Sequence, residues 1–423
     1  MAMVLTILHI ILIFGLAILL WKKQASPLKG IFWAALGVKL VAGVSLGLLY
    51  TYYFPVADTF VYFKDASRLA ELAREDVSAY LELLFFGRHV ETVPLTFREP
   101  RALFLTRFTS VFNILTGDNY WVSGLYFSLI SFIGAWFLVK TIAAHIPSAT
   151  SAAAVAFLFF PSIVFWTSGL LKESLAMAAL FFLAALFLKA WFEHKLPHWG
   201  YVLAVISLIV LWNLKYYYVA VFLPVAFTSL IYCFFERKIR TRRAVRVFIW
   251  CGIFVLLLMI ISFLHPNFNA DRILGVIVAN NAAYSEFSDP GDYIHFEDLR
   301  ATPLSILMNA PWALFSGLFR PLFWEAQTMV QFVAGVENTF LLIVFAAALL
   351  RVKKILSSPH RLLIASVLVF VVLLCVLITL SAPNFGTLSR YRAGYLAFFV
   401  FVMLCDHPVM QYLERSFSRL VSH

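Results

Sequence analysis

Long apolar runs, each close to the length of a bilayer-crossing helix and separated by short clusters of Lys and Arg, recur along the whole chain. A span requires about 20 consecutive, mostly apolar residues. Hydropathy and flanking charge predict helices at about 4–21, 31–54, 121–141, 150–167, 173–190, 199–214, 217–235, 247–265, 336–350, 362–381 and 393–406, about 11 transmembrane helices in all. Two connecting stretches, 55–120 and 266–335, depart from this pattern by mixing polar and apolar residues. In the first, Asp65–Leu84 carries Ala66, Leu69, Ala70, Ala73 and Val77 at helical spacing. Ala102–Leu115 repeats the pattern with Leu103, Phe104, Phe108, Phe112 and Leu115. Both read as amphipathic helices lying in the membrane interface. In the second stretch, Leu304–Phe323 reads either as a similar helix or as a segment that dips into the bilayer. The expected fold is an all-α polytopic membrane protein, a single transmembrane domain over residues 1–423.

Composition agrees: 62% of residues are hydrophobic and 13% charged, against about 25% charged in an ordinary soluble domain. The net charge of +11 is explained by its distribution. The loops Lys22–Lys29, Lys140–Ser148, Lys189–His198, Glu236–Arg246 and Arg351–Arg361 and the tail from Asp406 hold about 18 Lys and Arg and about 4 acids. The remainder holds about 15 and about 18, so the positive-inside rule makes these loops cytoplasmic. Both long stretches then become periplasmic loops of a bacterial inner (plasma) membrane protein, with a periplasmic N-terminus and a cytoplasmic C-terminus. No nucleic acid is needed to account for the basic excess. In the first helix the positive charges follow the apolar run, the reverse of a cleavable signal peptide, so it reads as a retained span.

Soluble catalytic signatures are missing from the sequence. It has no nucleotide-cradling glycine loop, no nucleophile elbow and no HExxH zinc motif. Cys233, Cys251, Cys375 and Cys405 fall in or beside apolar runs, which predicts neither a disulfide nor a thiolate metal site. His89 and His295 are isolated loop residues. No cofactor or metal is expected.

The candidate chemistry lies at span junctions opposite the basic loops. Asp58, where the second span should emerge, is placed to be a partly desolvated base, or simply opens a helix. FPSIVFWTSGLLKES reads as a hairpin tip carrying Ser168, Lys172, Glu173 and Ser174 outward, as a cationic phosphate site or a snorkelling pair. Lys215 in LWNLKYYY poses the same choice. Arg320 and Glu325 in FSGLFRPLFWE form a functional pair or a structural one. Arg390 and Arg392 in APNFGTLSRYRAGY sit on the non-cytoplasmic side against the charge rule, and Arg grips phosphate oxygens in a bidentate fork. A salt bridge to a loop acid is the alternative for both. Lys39 reads as snorkelling toward the cytoplasm. One carboxylate and up to five cations near one membrane face suit a reaction on a membrane-borne phosphate ester.

The order of these features resembles the GT-C class of membrane glycosyltransferases. ADTFVYFKDASRLAELA and PRALFLTRFTSVFNILTGDNYW look like that class's acidic first large loop and its amphipathic helices. The resemblance implies a GT-C-like fold and a polyprenyl-phosphate-linked sugar donor. It also implies Asp58 as the catalytic acid, and LLKES, LWNLKYYY and SRYR fall where such enzymes place substrate-contacting residues. The cations expected on the donor phosphate are Lys172, Lys215, Arg320, Arg390 and Arg392, with Tyr62, Asp65, Glu173, Glu325 and Tyr391 as supporting candidates. The acidic loop follows the second span rather than the first, which implies an extra N-terminal helix. Thr59 follows Asp58 where protein-modifying members carry a second acid, so the expected acceptor is a glycan or lipid. FWTSGLLKES and LFRPLFWEAQ…ENTF are also similar to bacterial polysaccharide-cluster membrane proteins. The rival expectations are a polymerase or ligase for diphosphate-linked glycans and, from a different class, a lipid-linked sugar transporter or flippase. Transport predicts charged residues at mid-membrane and broken helices, and the sequence displays neither.

Overall fold

The computed structural model describes residues 2–24, 28–54, 57–88, 90–236, 243–264, 269–351, 357–405, 407 and 410. His89, the centres of the Glu236–Arg246 and Arg351–Arg361 loops and nearly all of the tail from Asp406 lie outside the described residues.

The described chain is helical, with no strand and one isolated bridge, between Tyr293 and Asn384. In order the helices are α1 (Ala2–Lys22), α2 (Leu28–Tyr52), α3 (Asp58–Glu75), α4 (Val77–Phe86), α5 (Pro100–Thr116), α6 (Tyr120–His145), α7 (Thr150–Ala154), α8 (Pro161–Trp166) and α9 (Lys172–Glu193). They continue with α10 (His198–Glu236), α11 (Arg243–Leu264), α12 (Ala270–Phe287), α13 (Pro303–Phe319), α14 (Met329–Leu349), α15 (Arg361–Ser381), α16 (Phe385–Tyr391) and α17 (Ala393–Leu404). Among the described residues, 7 helices are long and apolar enough to cross a membrane: Met3–Lys22, Leu28–Tyr52, Tyr120–His145, Lys172–Glu193, His198–Cys233, Met329–Leu349 and Arg361–Ser381. The protein is a multi-pass membrane protein.

Several expectations change in detail. The helix expected over 150–167 is broken into α7, a π-turn at Val155–Phe159 and α8, because Pro161 has no N–H to donate and starts a new helix instead. The two helices expected at 199–214 and 217–235 are present within α10, and they meet at a kink where Lys215 leaves helical geometry (φ −148°, ψ 68°). The helix expected over Asp65–Leu84 is two, because Asp76 turns extended and accepts the Ala79 N–H as the cap of α4. Ala270–Phe287 is helical where no helix was expected.

The side of α5 that packs into the protein is its polar one. Thr106, Thr109, Ser110 and Asn113 are fully buried, while Phe104, Phe108 and Phe112 are only partly covered and Leu115 is exposed. Asn113 donates to Ser67 Oγ (3.0 Å) and Phe63 O (3.3 Å) of α3, and Ser110 donates to Arg107 O (2.7 Å). The Thr106 and Thr109 hydroxyls have no hydrogen-bond partner among the described residues.

The chain forms two compact units. One comprises Met1–Thr141, Phe157–Ala185 and Pro197–Tyr216, the other Ile142–Ala156, Leu186–Leu196 and Tyr217–His423. In the first, α3 packs along α5 and α2 packs on α8. Gly43 of α2 lets the backbone of Gly169 and the Ser128 hydroxyl approach, and a Cβ there would collide with both. In the second, α13, α15 and α17 pack on one another around Ala313, Leu374, Ile378 and Leu396. Gly394 leaves room for the Tyr218 ring.

Candidate functional site

In the first unit, Asp58 is the first residue of α3, is exposed, and has no side-chain partner among the described residues. Its position in the first turn is also electrostatically favourable for the helix. The next residue, Thr59, is buried and donates to Leu170 O at 2.7 Å, which ties the start of α3 to the non-helical stretch leading into α9. Tyr62 lies one helical turn beyond Asp58 on the same face. The Lys172 ammonium sits 4.5 Å from the centroid of the Tyr62 ring.

Lys172 opens α9, and the adjacent Glu173 pairs with Lys215 at 2.7 Å, with the two side chains only 3% and 4% exposed. Lys215 lies at the break in α10, and a non-helical residue there can turn its ammonium toward the start of α9. The following residue, Tyr216, carries the Arg101 guanidinium 4.6 Å from its ring centroid. One unit therefore brings together five of the residues singled out from sequence: Asp58, Tyr62, Lys172, Glu173 and Lys215. Arg101 was missed, because an exposed Arg at the start of an interfacial helix resembles an ordinary anchor.

At the hairpin tip the serine hydroxyls turn into the protein and do not reach solvent. Ser168 and Ser174 are fully buried, and their hydroxyls donate to Val164 O (2.6 Å) and Gly169 O (2.7 Å), closing the turn. The backbone between α8 and α9 has few internal bonds to make, so small hydroxyls supply them. Lys39 does not snorkel either. It is 5% exposed and donates to the Thr167 hydroxyl of this stretch. It stands 13 residues before the end of α2, roughly 20 Å along the helix.

Asp65, a proposed supporting residue, is buried and saturated. It accepts from Thr96 N (2.9 Å), Thr96 Oγ1 (3.0 Å), Phe97 N (3.1 Å) and Arg68 Nη1 (2.8 Å), which pins the Val93–Phe97 segment to α3. Its oxygens are committed to the scaffold, so its support is structural. Asp65→Ala should cost about 3 kcal/mol, since it abandons several donors to a charged acceptor. Thermal unfolding of the detergent-solubilised protein checks this, and an unchanged midpoint would show that the bonds contribute nothing.

The second unit holds the remaining candidates. Arg320 forms a two-nitrogen pair with Glu325 Oε1 (Nη2 at 2.6 Å, Nε at 2.8 Å), while Glu325 Oε2 accepts the Leu322 N–H at 2.8 Å. The rings of Trp312 and Phe385 flank the guanidinium at 5.0 and 5.1 Å. The sequence left this pair as functional or structural, and the two side chains do pair. Arg390 lies over its neighbour Tyr391 at 5.4 Å, and the Tyr391 carbonyl accepts from the Tyr218 hydroxyl at 2.6 Å.

Arg392, between α16 and α17, differs from Arg320. It is fully buried, its Nη1 reaches Arg320 O only at 3.5 Å, and Nη2 stands 4.0 Å from Glu337 Oε1. Its Nε and Nη2 have no hydrogen-bond partner among the described residues. A buried guanidinium left in this condition is costly unless acceptors reach it. Glu337 was missed, because its place in GVENTFLL gave no sign that it approaches Arg392. No group of three or more His, Cys, Asp and Glu suited to a metal occurs among the described residues.

Compared with known proteins, the chain matches no family model, no curated protein and no solved structure.

Proposed function

We propose that the protein is a membrane glycosyltransferase that moves a sugar from a polyprenyl-phosphate donor to a glycan or lipid acceptor at the periplasmic face of a bacterial inner membrane. The proposal includes a GT-C-like fold of about 11 spans, with the N-terminus periplasmic and the C-terminus cytoplasmic. The observation that carries it is Asp58: an exposed carboxylate without a partner among the described residues, one turn from a Tyr62 ring that holds the Lys172 ammonium. Such a pairing offers a base to an acceptor and a cation to a leaving group.

In this reading the acceptor hydroxyl gives its proton to Asp58 as its oxygen bonds to the anomeric carbon. The bond from that carbon to the phosphate oxygen breaks on the opposite face, and polyprenyl phosphate departs with the electron pair, inverting the configuration. Lys172 and Lys215 are the proposed phosphate-holding cations of the unit that carries Asp58, and Arg320, Arg390 and Arg392 are proposed as phosphate-binding cations of the second unit. Arg320 is already paired with Glu325, whereas Nε and Nη2 of Arg392 have no hydrogen-bond partner among the described residues, so Arg392 has more unused donor capacity than Arg320. Arg392→Ala should lower kcat/KM for the donor by about 10²-fold, the usual size for removing one preorganised donor to developing charge. Arg392→Lys should recover only part of this, because it lacks the planar fork. Unchanged donor kinetics in a folded Arg392→Ala protein would remove Arg392 from the site.

A second reading, transport or flipping of a lipid-linked sugar, is favoured by Lys39. A buried lysine deep in a span, bonded to the non-helical stretch between two helices, is what a transporter places along a substrate path. Purified protein in liposomes with a radiolabelled polyprenyl-phosphate sugar separates the two. A new covalent glycoside supports the transferase, and movement of unaltered donor across the bilayer without a product supports the transporter.

A further inference from the structure

Asp292, in the connection between α12 and α13, draws attention because both of its oxygens are served by neutral amides alone. Gln331 Nε2 donates to Oδ1 at 2.6 Å and Asn384 Nδ2 donates to Oδ2 at 3.1 Å, and no cation pairs with the carboxylate among the described residues. Both amides are fixed in this orientation. Gln331 Oε1 accepts the Gln327 N–H at 2.8 Å, and Asn384 Oδ1 accepts the Thr387 N–H at 3.0 Å, so each amide must present its NH2 group elsewhere.

The carboxylate is not needed to hold the segment. Phe385 N donates to the Asp292 carbonyl (3.0 Å), Ile294 N donates to Pro383 O (3.0 Å), and Tyr293 bridges Asn384, so backbone pairing already joins the connection to the start of α16. Half-burial pushes the Asp292 carboxyl above its ordinary value, an effect the Asn384 bond opposes and the nearby Asp289 charge reinforces. A negative charge held at this cost, with amides aimed at it and lone pairs to spare, suits a ligand that brings hydroxyl donors and no charge.

Two ring residues follow Asp292 closely in the chain. Tyr293 is fixed by its hydroxyl to Asn281 Oδ1 (2.7 Å), and its ring meets the exposed His295 edge-on with centroids 4.9 Å apart. Carboxylates and amides that bind hydroxyls, next to ring faces that cover C–H groups, are the chemistry of sugar recognition. We propose that Asp292, Gln331 and Asn384 form a carbohydrate-binding subsite that takes two neighbouring hydroxyls of an uncharged sugar. Each hydroxyl donates to one carboxylate oxygen, and the Tyr293 and His295 rings pack against the sugar. The subsite deepens the proposed transfer and rests on that reading, giving a glycan a place to bind within the second unit.

The test measures binding without any donor. The full-length protein in lipid nanodiscs is presented with free, uncharged oligosaccharides built from hexoses, N-acetylhexosamines and deoxyhexoses, and saturation-transfer difference NMR reads their contact with the protein. At least one class should bind the wild type. Asp292→Asn and Gln331→Leu should each weaken it by about tenfold or more, the equivalent of a charge-assisted hydrogen bond, in variants that still unfold cooperatively above the assay temperature. Gln331→Leu keeps the test decisive should Asp292→Asn fold poorly. Three outcomes overturn the subsite: no oligosaccharide binds, the variants bind as the wild type does, or binding appears only with added Mg²⁺ or Ca²⁺, which would make it a metal site. Failure of transfer in the liposome assay with sugar binding intact would count against the proposed reaction and not against the subsite.

Discussion

Asp58→Asn lowers sugar transfer by about 10²- to 10⁴-fold, the range that general base catalysis contributes, while the protein remains folded in the membrane. Both halves of this expectation come from the surroundings of the residue. The carboxylate is exposed, opens α3 and carries no bond to the scaffold among the described residues, so replacing it forfeits only its favourable place at the helix start, typically about 0.3–1 kcal/mol. The amide has nearly the same shape but does not accept a proton at neutral pH. Asp65 provides the contrast within the same helix: its loss costs stability through four bonds and does not act on the chemistry. Activity is measured as formation of the glycosylated product from a polyprenyl-phosphate sugar, and an Asp58→Asn protein with wild-type kcat would remove Asp58 from catalysis.

Glu173→Gln destabilises the protein by about 3–5 kcal/mol, the cost of breaking a buried ion pair from one side. The Glu173 carboxylate lies 2.7 Å from the Lys215 ammonium, with both side chains nearly inaccessible. Neutralising it leaves the lysine charge in a poorly solvated place at the point where α10 loses helical geometry. The double variant Glu173→Gln/Lys215→Met should recover most of the loss, because exchanging a whole buried pair for uncharged groups is often neutral. Thermal unfolding in detergent measures both. A single variant as stable as the wild type would mean that the pair is hydrated, and a double variant no better than the single would mean that Lys215 holds the junction by other contacts.

Much of the helical layout was legible because a bilayer-crossing helix must be long, apolar and bounded by charge, and α1, α2, α6, α9 and α15 follow that rule closely. Hydropathy does not report whether an apolar helix is continuous. The 150–167 stretch was therefore misread, although Pro161 was visible in the sequence, whereas the junction at Lys215 was placed where α10 kinks. Nor does it report which side of a half-apolar helix faces protein. The alternation in α5 was correct, but its buried side is the threonine and asparagine side.

Within the candidate site, sequence placed Asp58, Lys172, Glu173 and Lys215 at helix ends, and all four lie there. Their pairing was not legible, because residues 173 and 215 meet only through the break in α10. Lys39 illustrates the same limit. Reach along its own helix suggested snorkelling, whereas its partner Thr167 is 128 positions away in the chain. Asp292 gave no sequence signal, since its two amide partners come from α14 and from the approach to α16.

The central claim, that the carboxylate and lysines of the first unit serve a polyprenyl-phosphate sugar, is tested most directly by an electron cryomicroscopy structure with a non-hydrolysable polyprenyl-phosphonate sugar bound. The account predicts the phosphonate oxygens within hydrogen-bonding distance of Lys172 Nζ and the anomeric carbon facing Asp58. Density for the phosphonate away from Lys172, with Asp58 touching no part of the sugar, would contradict it.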